Sequence, residues 1–151
     1  MSFCNEVKAE IIALKDIERC SNCTWIYKKI SSVDAEWDIK FFYNINNLCC
    51  RKTFLREIFI RFGYISNPDK DYHLEIVFKD EKLLNLTMKL LNELNINLKV
   101  LSRANNIILY MKDSERISDF LKIIGAYNCL MNFENIRIVK EIRNNVNREV
   151  N

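Results

Sequence analysis

Six cysteines, a single histidine and a scattered set of cations are the side chains in this 151-residue sequence with the means to do chemistry. Cys20-Ser21-Asn22-Cys23 has the spacing of a zinc knuckle, and Cys49-Cys50 offers two further thiolates. Against a shared centre, adjacent cysteines rarely reach one tetrahedral ion comfortably, and the usual second Cys-x-x-Cys is missing. The expectation is therefore no metal and no cofactor. His73 falls on the same strand face as Glu75, but no nucleophile accompanies the pair, so a structural histidine is expected. With no Gly-rich phosphate loop, no Ser-centred elbow and no carboxylate pair at helix ends, no catalytic residue is expected either.

Cations come next, because phosphate neutralisation needs only well-placed Lys and Arg. Period-two alternation turns Leu74, Ile76, Phe78, Leu98 and Val100 inward. It leaves His73, Glu75, Val77, Lys79, Lys99, Leu101 and Arg103 on the opposite face. Near the C-terminus Arg137, Lys140, Arg143 and Arg148 decorate a helix on which Asn144, Asn145 and Asn147 could add hydrogen bonds. Glu134, Glu141 and Glu149 are interleaved there, a pattern that also describes a solvated helix laced with i, i+4 pairs. The candidate nucleic-acid contacts are Lys99, Arg103, Arg137, Lys140, Arg143 and Arg148.

The elements that must position these groups are long and regular, since the chain has only two Gly and one Pro. Residues 2–15 read as a helix capped by Ser2, with Val7, Ile11 and Leu14 at helical spacing. Between Asp16 and Leu48 the pattern is weakest, and Trp25-Ile26-Tyr27 and Trp37 to Tyr43 read as short strands. Phe54, Leu55, Ile58, Phe59 and Phe62 form one helical stripe, which Gly63 ends as a left-handed cap. A turn over Ser66-Asn67-Pro68-Asp69 precedes a strand at Tyr72–Phe78 and a helix near Glu81–Leu94. Strands at Leu98–Ser102 and Ile107–Met111 are joined by a polar hairpin, Arg103 to Asn106. A helix near Ser114–Ile124, capped by Ser114 and ended by Gly125, precedes a last helix from Phe133 to Val150.

Residues 49–68 run Cys-Cys-Arg-Lys-Thr-Phe-Leu-Arg-Glu-Ile-Phe-Ile-Arg-Phe-Gly-Tyr-Ile-Ser-Asn-Pro. An apolar helix that ends in Gly and turns straight into a strand has the shape of a LAGLIDADG helix. Taken with Tyr72-His73-Leu74-Glu75-Ile76, Ile117–Asn128, Phe133–Arg148 and the opening Met1–Glu10, it resembles the WhiA family. These are bacterial sporulation and cell-division transcription regulators whose N-terminal half is a degenerate LAGLIDADG domain. The resemblance is strong over residues 49–151 and the first ten or so residues, and weak from Asp16 to Leu48. It implies an α+β fold, one LAGLIDADG homing-endonuclease-like αββαββα unit behind a short N-terminal segment. The implied divisions are 1–48, a helix and the remnant of a first repeat; 49–132, the LAGLIDADG-like domain; and 133–151, a C-terminal helix or linker segment.

A homing endonuclease needs an acid immediately before the helix-ending Gly to hold a divalent metal. Here Phe62 takes that place, and Ile60 stands two positions earlier where a second acid would be. The expectation is a DNA-binding transcription regulator without enzymatic activity. The alternative is an assembly or protein-interaction module that binds no nucleic acid. Members of the family also carry a C-terminal helix-turn-helix domain, and this chain stops at Asn151 before one would begin, so DNA binding is expected to be weak. The family's helix has small residues where its two repeats touch; with Glu57, Ile58, Arg61 and Phe62 here, any pairing should be wider, or absent. Phe54, Ile58, Phe59 and Phe62 are either core or a seam covered by the N-terminal remnant or by a second copy, which would make a homodimer. A regulatory protein partner is the further expectation.

Composition sets the outer bounds. Hydrophobic residues make up 49% and charged residues 28%, enough apolar material for a real core. The 23 basic and 20 acidic residues nearly balance, so any electrostatic footprint must be local. No apolar run approaches the ~20 residues that cross a bilayer. A cytoplasmic setting, nucleoid-associated where DNA is bound, with reduced thiols and no membrane partner is expected.

Overall fold

The computed structural model describes residues 2–15, 20, 23–31, 37, 40 and 45–150. Helix α1 (Phe3–Ile12) starts where Ser2 is extended and its hydroxyl accepts from the Asn5 N–H. Val7 and Ile11, four residues apart, are fully buried. Helix α2 (Cys23–Ser31) includes Trp25-Ile26-Tyr27, which are therefore helical and not a strand. Cys23, Ile26 and Ile30 recur at spacings of three and four and form its buried face. Of the strand expected at Trp37 to Tyr43, all but Trp37 and Lys40 lies outside the described residues.

Helix α3 (Leu48–Phe62) is the centre of the molecule. Asn47 caps it, its side chain accepting from the Cys50 N–H at 2.8 Å. Burial covers an unbroken run from Thr53 to Phe59, more than one face, so two charged residues are carried inside with the apolar ones. Each has partners there. Arg56 Nε donates to the Ile124 carbonyl at 2.7 Å. Glu57, 1% exposed, meets Lys15 Nζ at 2.7 Å and Arg61 Nε at 3.2 Å.

Gly63 does not act as a left-handed cap. Its φ of −92° and ψ of 155° are extended, and it opens strand β1 (Gly63–Ile65) directly. Glycine is required by space instead: a Cβ there would lie 2.2 Å from Phe59 Cδ2 and 2.7 Å from the Phe59 carbonyl oxygen. In the following turn Lys70 N–H donates to Asn67 O, which puts Pro68 at the second position, where its fixed φ fits. Ser66 Oγ accepts from His73 N–H, and the Asn67 side chain accepts from the Phe3 N–H at 2.9 Å, tying the turn to α1.

Strand β2 (Leu74–Phe78), helix α4 (Glu81–Glu93), strands β3 (Lys99–Arg103) and β4 (Asn106–Met111), and helix α5 (Ser114–Ile123) complete an αββαββα unit. The antiparallel sheet has the order β1-β2-β4-β3. Leu74, Ile76 and Phe78 point to the helices as their alternation requires. Val100 does not: it is 49% exposed, because β3 is the edge strand and the helical cover is centred on β2. Asp80 and Asp113 cap α4 and α5; the cap of α5 is thus Asp113 and not Ser114. Gly125 ends α5 with φ +83°, a left-handed conformation that favours glycine. The chain then enters α6 (Tyr127–Val150), which begins six residues earlier than Phe133.

One core runs through the molecule. Phe59 meets Phe120 at 5.7 Å between ring centroids, Trp37 meets Phe54 at 6.1 Å, and Tyr72 meets Phe133 at 5.5 Å. Among the described residues no helix is long and apolar enough to cross a membrane.

Candidate functional site

The sheet face turned away from the core carries Tyr64, Glu75, Tyr110 and Lys99 as one row of register partners across all four strands. Next to it run Val77, Ile108 and Leu101. Tyr110 is the hub: His73 stacks on it at 6.3 Å, and Lys112 Nζ lies 6.0 Å from its ring centroid. Tyr64 is 49% exposed. Glu75 is the one acid in this row, and it is engaged by Arg103 at 3.3 Å and His73 at 3.8 Å. Lys99 is exposed and makes no ion pair among the described residues. The face thus offers cations around a tyrosine, with its carboxylate already neutralised. Sequence alternation found Lys99 and Arg103; it passed over Tyr110 and Lys112, which the same period-two count places there.

The four cations of α6 have separate fates. Arg137 is held by Glu134 at 3.1 Å and Glu115 at 3.7 Å. Lys140 donates to the Pro68 carbonyl and lies 4.7 Å from the Tyr72 ring centroid, so it fastens α6 to the turn. Arg143 and Arg148 are exposed and make no ion pair among the described residues. The six expected nucleic-acid contacts therefore divide between β3 and α6, and three are committed to partners within the chain.

The cysteines come together despite their separation in sequence. Cys20 Sγ lies 3.7 Å from Cys23 Sγ and 3.4 Å from Cys50 Sγ, and Cys23 Sγ lies 3.5 Å from Cys49 Sγ. Cys20, Cys23 and Cys49 sulfurs are all within 4.8 Å of one another. These separations are far longer than the roughly 2.05 Å of a disulfide. Burial, reinforced by the neighbouring thiols, pushes Cys49 up to about 11 and Cys50 up to about 12. The sequence held a clue that the linear spacing hid: Cys23 opens α2, and Cys49-Cys50 lie in the first turn of α3, so packing one helix start on the other gathers all four.

The apolar stripe of α3 is covered within the chain. Phe54, Ile58 and Phe59 have no exposed surface, and α2 packs along α3, with Arg61 Nη2 donating to Ser31 Oγ at 2.8 Å. Within the chain these residues pack against α2, Trp37 and α5, the core reading of the stripe. Helix pairing through bulky residues occurs, between α2 and α3. Of the expected seam only Phe62, 37% exposed, reaches solvent. It borders a cleft of about 440 Å³ lined by Arg61, Val77, Phe78, Lys79 and Leu83 among others. Where a homing endonuclease would present an acid, this helix presents an aromatic ring beside two cations.

Comparison with known proteins bears on this architecture. Residues 51–143 match the WhiA LAGLIDADG-like domain. The probable cell division protein WhiA of Ruminiclostridium cellulolyticum is 48% identical over 107 residues, covering 71% of this chain and 34% of that protein. The corresponding protein of Clostridium tetani is 46% identical over 121 residues, covering 76% and 38%. The chain spans roughly a third of the length of these relatives. Among solved structures, the full-length DUF199/WhiA of Thermatoga maritima superposes with a TM-score of 0.57 at 31% identity, covering 76% of this chain and 45% of that one. The N-terminal LAGLIDADG domain of DUF199/WhiA gives 0.50 at 36% identity, covering 54% and 44%. With the αββαββα order, the helix-to-strand junction at Gly63 and these matches agreeing, the chain belongs to the WhiA LAGLIDADG-like domain family.

Proposed function

We propose that this protein is a non-catalytic, DNA-binding regulator of the WhiA kind, acting in the cytoplasm in the control of cell division or sporulation. The observation that carries the reading is the sheet face turned away from the core, where Tyr110 is flanked by His73, Lys99 and Lys112 and the single acid of the row is paired. Such a face suits a polyanion: the cations neutralise phosphates, and Tyr64 and Tyr110 offer ring surface without sequence demands. The non-catalytic part of the reading is supported by the end of α3. The acids needed at the end of α3 are replaced by Ile60 and Phe62, and the nearest carboxylate in that helix, Glu57, is buried between Lys15 and Arg61.

Fluorescence anisotropy with mixed-sequence duplex DNA across a salt series tests this. Micromolar binding at low salt is expected, with log K falling as log[salt] rises and each lost phosphate contact making the slope shallower by ~0.9. No binding at low salt would sink it. That outcome would favour a protein-interaction module, to which the outward Ile138, Ile142 and Val146 of α6, each more than half exposed, would be suited.

A further inference from the structure

We infer that Cys20, Cys23, Cys49 and Cys50 form a tetrathiolate site for one zinc ion, which clamps the start of α2 to the start of α3. A Zn–S bond of about 2.3 Å in a tetrahedron sets the sulfur–sulfur edge at about 3.8 Å. The three closest separations here, 3.4, 3.5 and 3.7 Å, link the four sulfurs in the chain Cys50–Cys20–Cys23–Cys49 just inside that edge. Cys20, Cys23 and Cys49 already form a mutually close trio, and Cys50, which touches only Cys20 of the three and falls outside that trio, swings inward to supply the fourth corner. Three sulfurs within 4.8 Å of one another also select a single ion. An iron–sulfur cluster spreads its thiolates over several irons and needs them farther apart.

The surroundings fit a thiolate site. Cys23 is the first residue of α2, and Cys49 and Cys50 lie in the first turn of α3, so two positive helix ends face the anionic sulfurs. Thr53 is fully buried and its Oγ1 lies 3.1 Å from Cys23 Sγ, positioned to donate to a metal-bound thiolate. Zinc takes the thiolates and releases their protons, with no change of oxidation state and no co-reactant. The adjacent Cys49-Cys50 pair is not an obstacle: Cys49 turns to Cys23 and Cys50 turns to Cys20, approaching the centre from two sides. The site joins two helices that are separated in sequence by a long segment.

The test uses the full chain, purified under reducing conditions with zinc supplied, then stripped and titrated with cobalt(II). One zinc per chain is expected. Cobalt should give thiolate charge-transfer absorption and the intense visible bands of tetrahedral sulfur coordination, both abolished by added zinc. Cys20→Ser, Cys23→Ser, Cys49→Ser and Cys50→Ser should each weaken zinc binding beyond the roughly 100-fold seen for loss of a supporting partner, and Thr53→Val should weaken it about 10-fold. Cys4→Ser and Cys129→Ser, buried elsewhere, should leave it unchanged. Substoichiometric zinc, or a pale octahedral cobalt spectrum, in the wild-type chain overturns the proposal without recourse to any variant. So does full affinity in the Cys50→Ser protein, or recovery of a disulfide among these residues under reducing conditions.

Discussion

Glu10 caps a helix that begins 117 residues further along the chain: its Oε1 accepts from the Cys129 N–H at 2.9 Å and its Oε2 from the Asn128 N–H at 2.8 Å. The carboxylate satisfies two of the N–H groups that α6 leaves unpaired at its start, and its charge meets the positive end of the helix. This contact joins the first helix to the last. Glu10→Ala should cost about 1–2 kcal/mol in urea unfolding, and Glu10→Gln less, since an acceptor oxygen survives. An unchanged midpoint for Glu10→Ala would show the cap to be idle.

The two glycines should fail differently when a methyl group is added. Gly63→Ala meets Phe59 at 2.2 Å in a backbone conformation that any residue adopts, so its cost is steric and should be relieved in part by Phe59→Leu. Gly125→Ala adds left-handed strain of about 1–2 kcal/mol to contacts with Arg56 and Leu14 at 2.9 and 3.0 Å. Gly125→Asn should recover some of the backbone component, as Asn tolerates that region. Thermal unfolding of the four proteins checks both. Rescue of Gly125→Ala by Phe59→Leu would contradict the assignment.

How much of this was legible in the sequence depends on whether a pattern was local. The αββαββα order could be read because Leu74, Ile76 and Phe78 alternate while Leu83, Leu86, Leu90 and Ile117, Phe120, Leu121 keep helical spacing. Helix α2 was misread because Trp25-Ile26-Tyr27 has strand-like residue types, although Cys23, Ile26 and Ile30 already mark a helical face. Gly63 was assigned the right residue type for the wrong cause, since only the packed Phe59 ring reveals the close approach. The roles of Lys140, Glu10 and the four gathered cysteines depend on which elements touch, which no local periodicity encodes.

Alkaline pH should destabilise the protein partly through Cys129. Burial pushes its thiol from 9.0 up to about 12, and Glu10 beside it adds to the shift. With the folded value above the unfolded one, the folded state holds the proton longer. The stability is fully present below pH 9 and is lost as pH rises through the window to 12. Relative to Cys129→Ala, the wild-type advantage in urea midpoint should shrink between about pH 8 and about pH 10.5. Parallel pH profiles for the two proteins would refute this account.

Lys140 and Lys99 are both exposed enough to be mistaken for equivalent DNA contacts, yet their surroundings separate them. Lys140 is tied to the Pro68 carbonyl and the Tyr72 ring, and through them holds α6 against the turn that also caps α1. Its ammonium is already satisfied, so Lys140→Ala should lower the unfolding midpoint and leave the slope of log K against log[salt] for DNA nearly unchanged. Lys99 stands on the edge strand with no ion pair among the described residues, beside Tyr110 and Lys112. Lys99→Ala should leave stability within about 0.5 kcal/mol of wild type. Lys99→Ala combined with Lys112→Ala should make the salt slope shallower by ~1.8 if each cation meets one phosphate. The reverse pattern, with Lys140 changing the slope and the sheet lysines silent, would move the nucleic-acid contact from the sheet to α6.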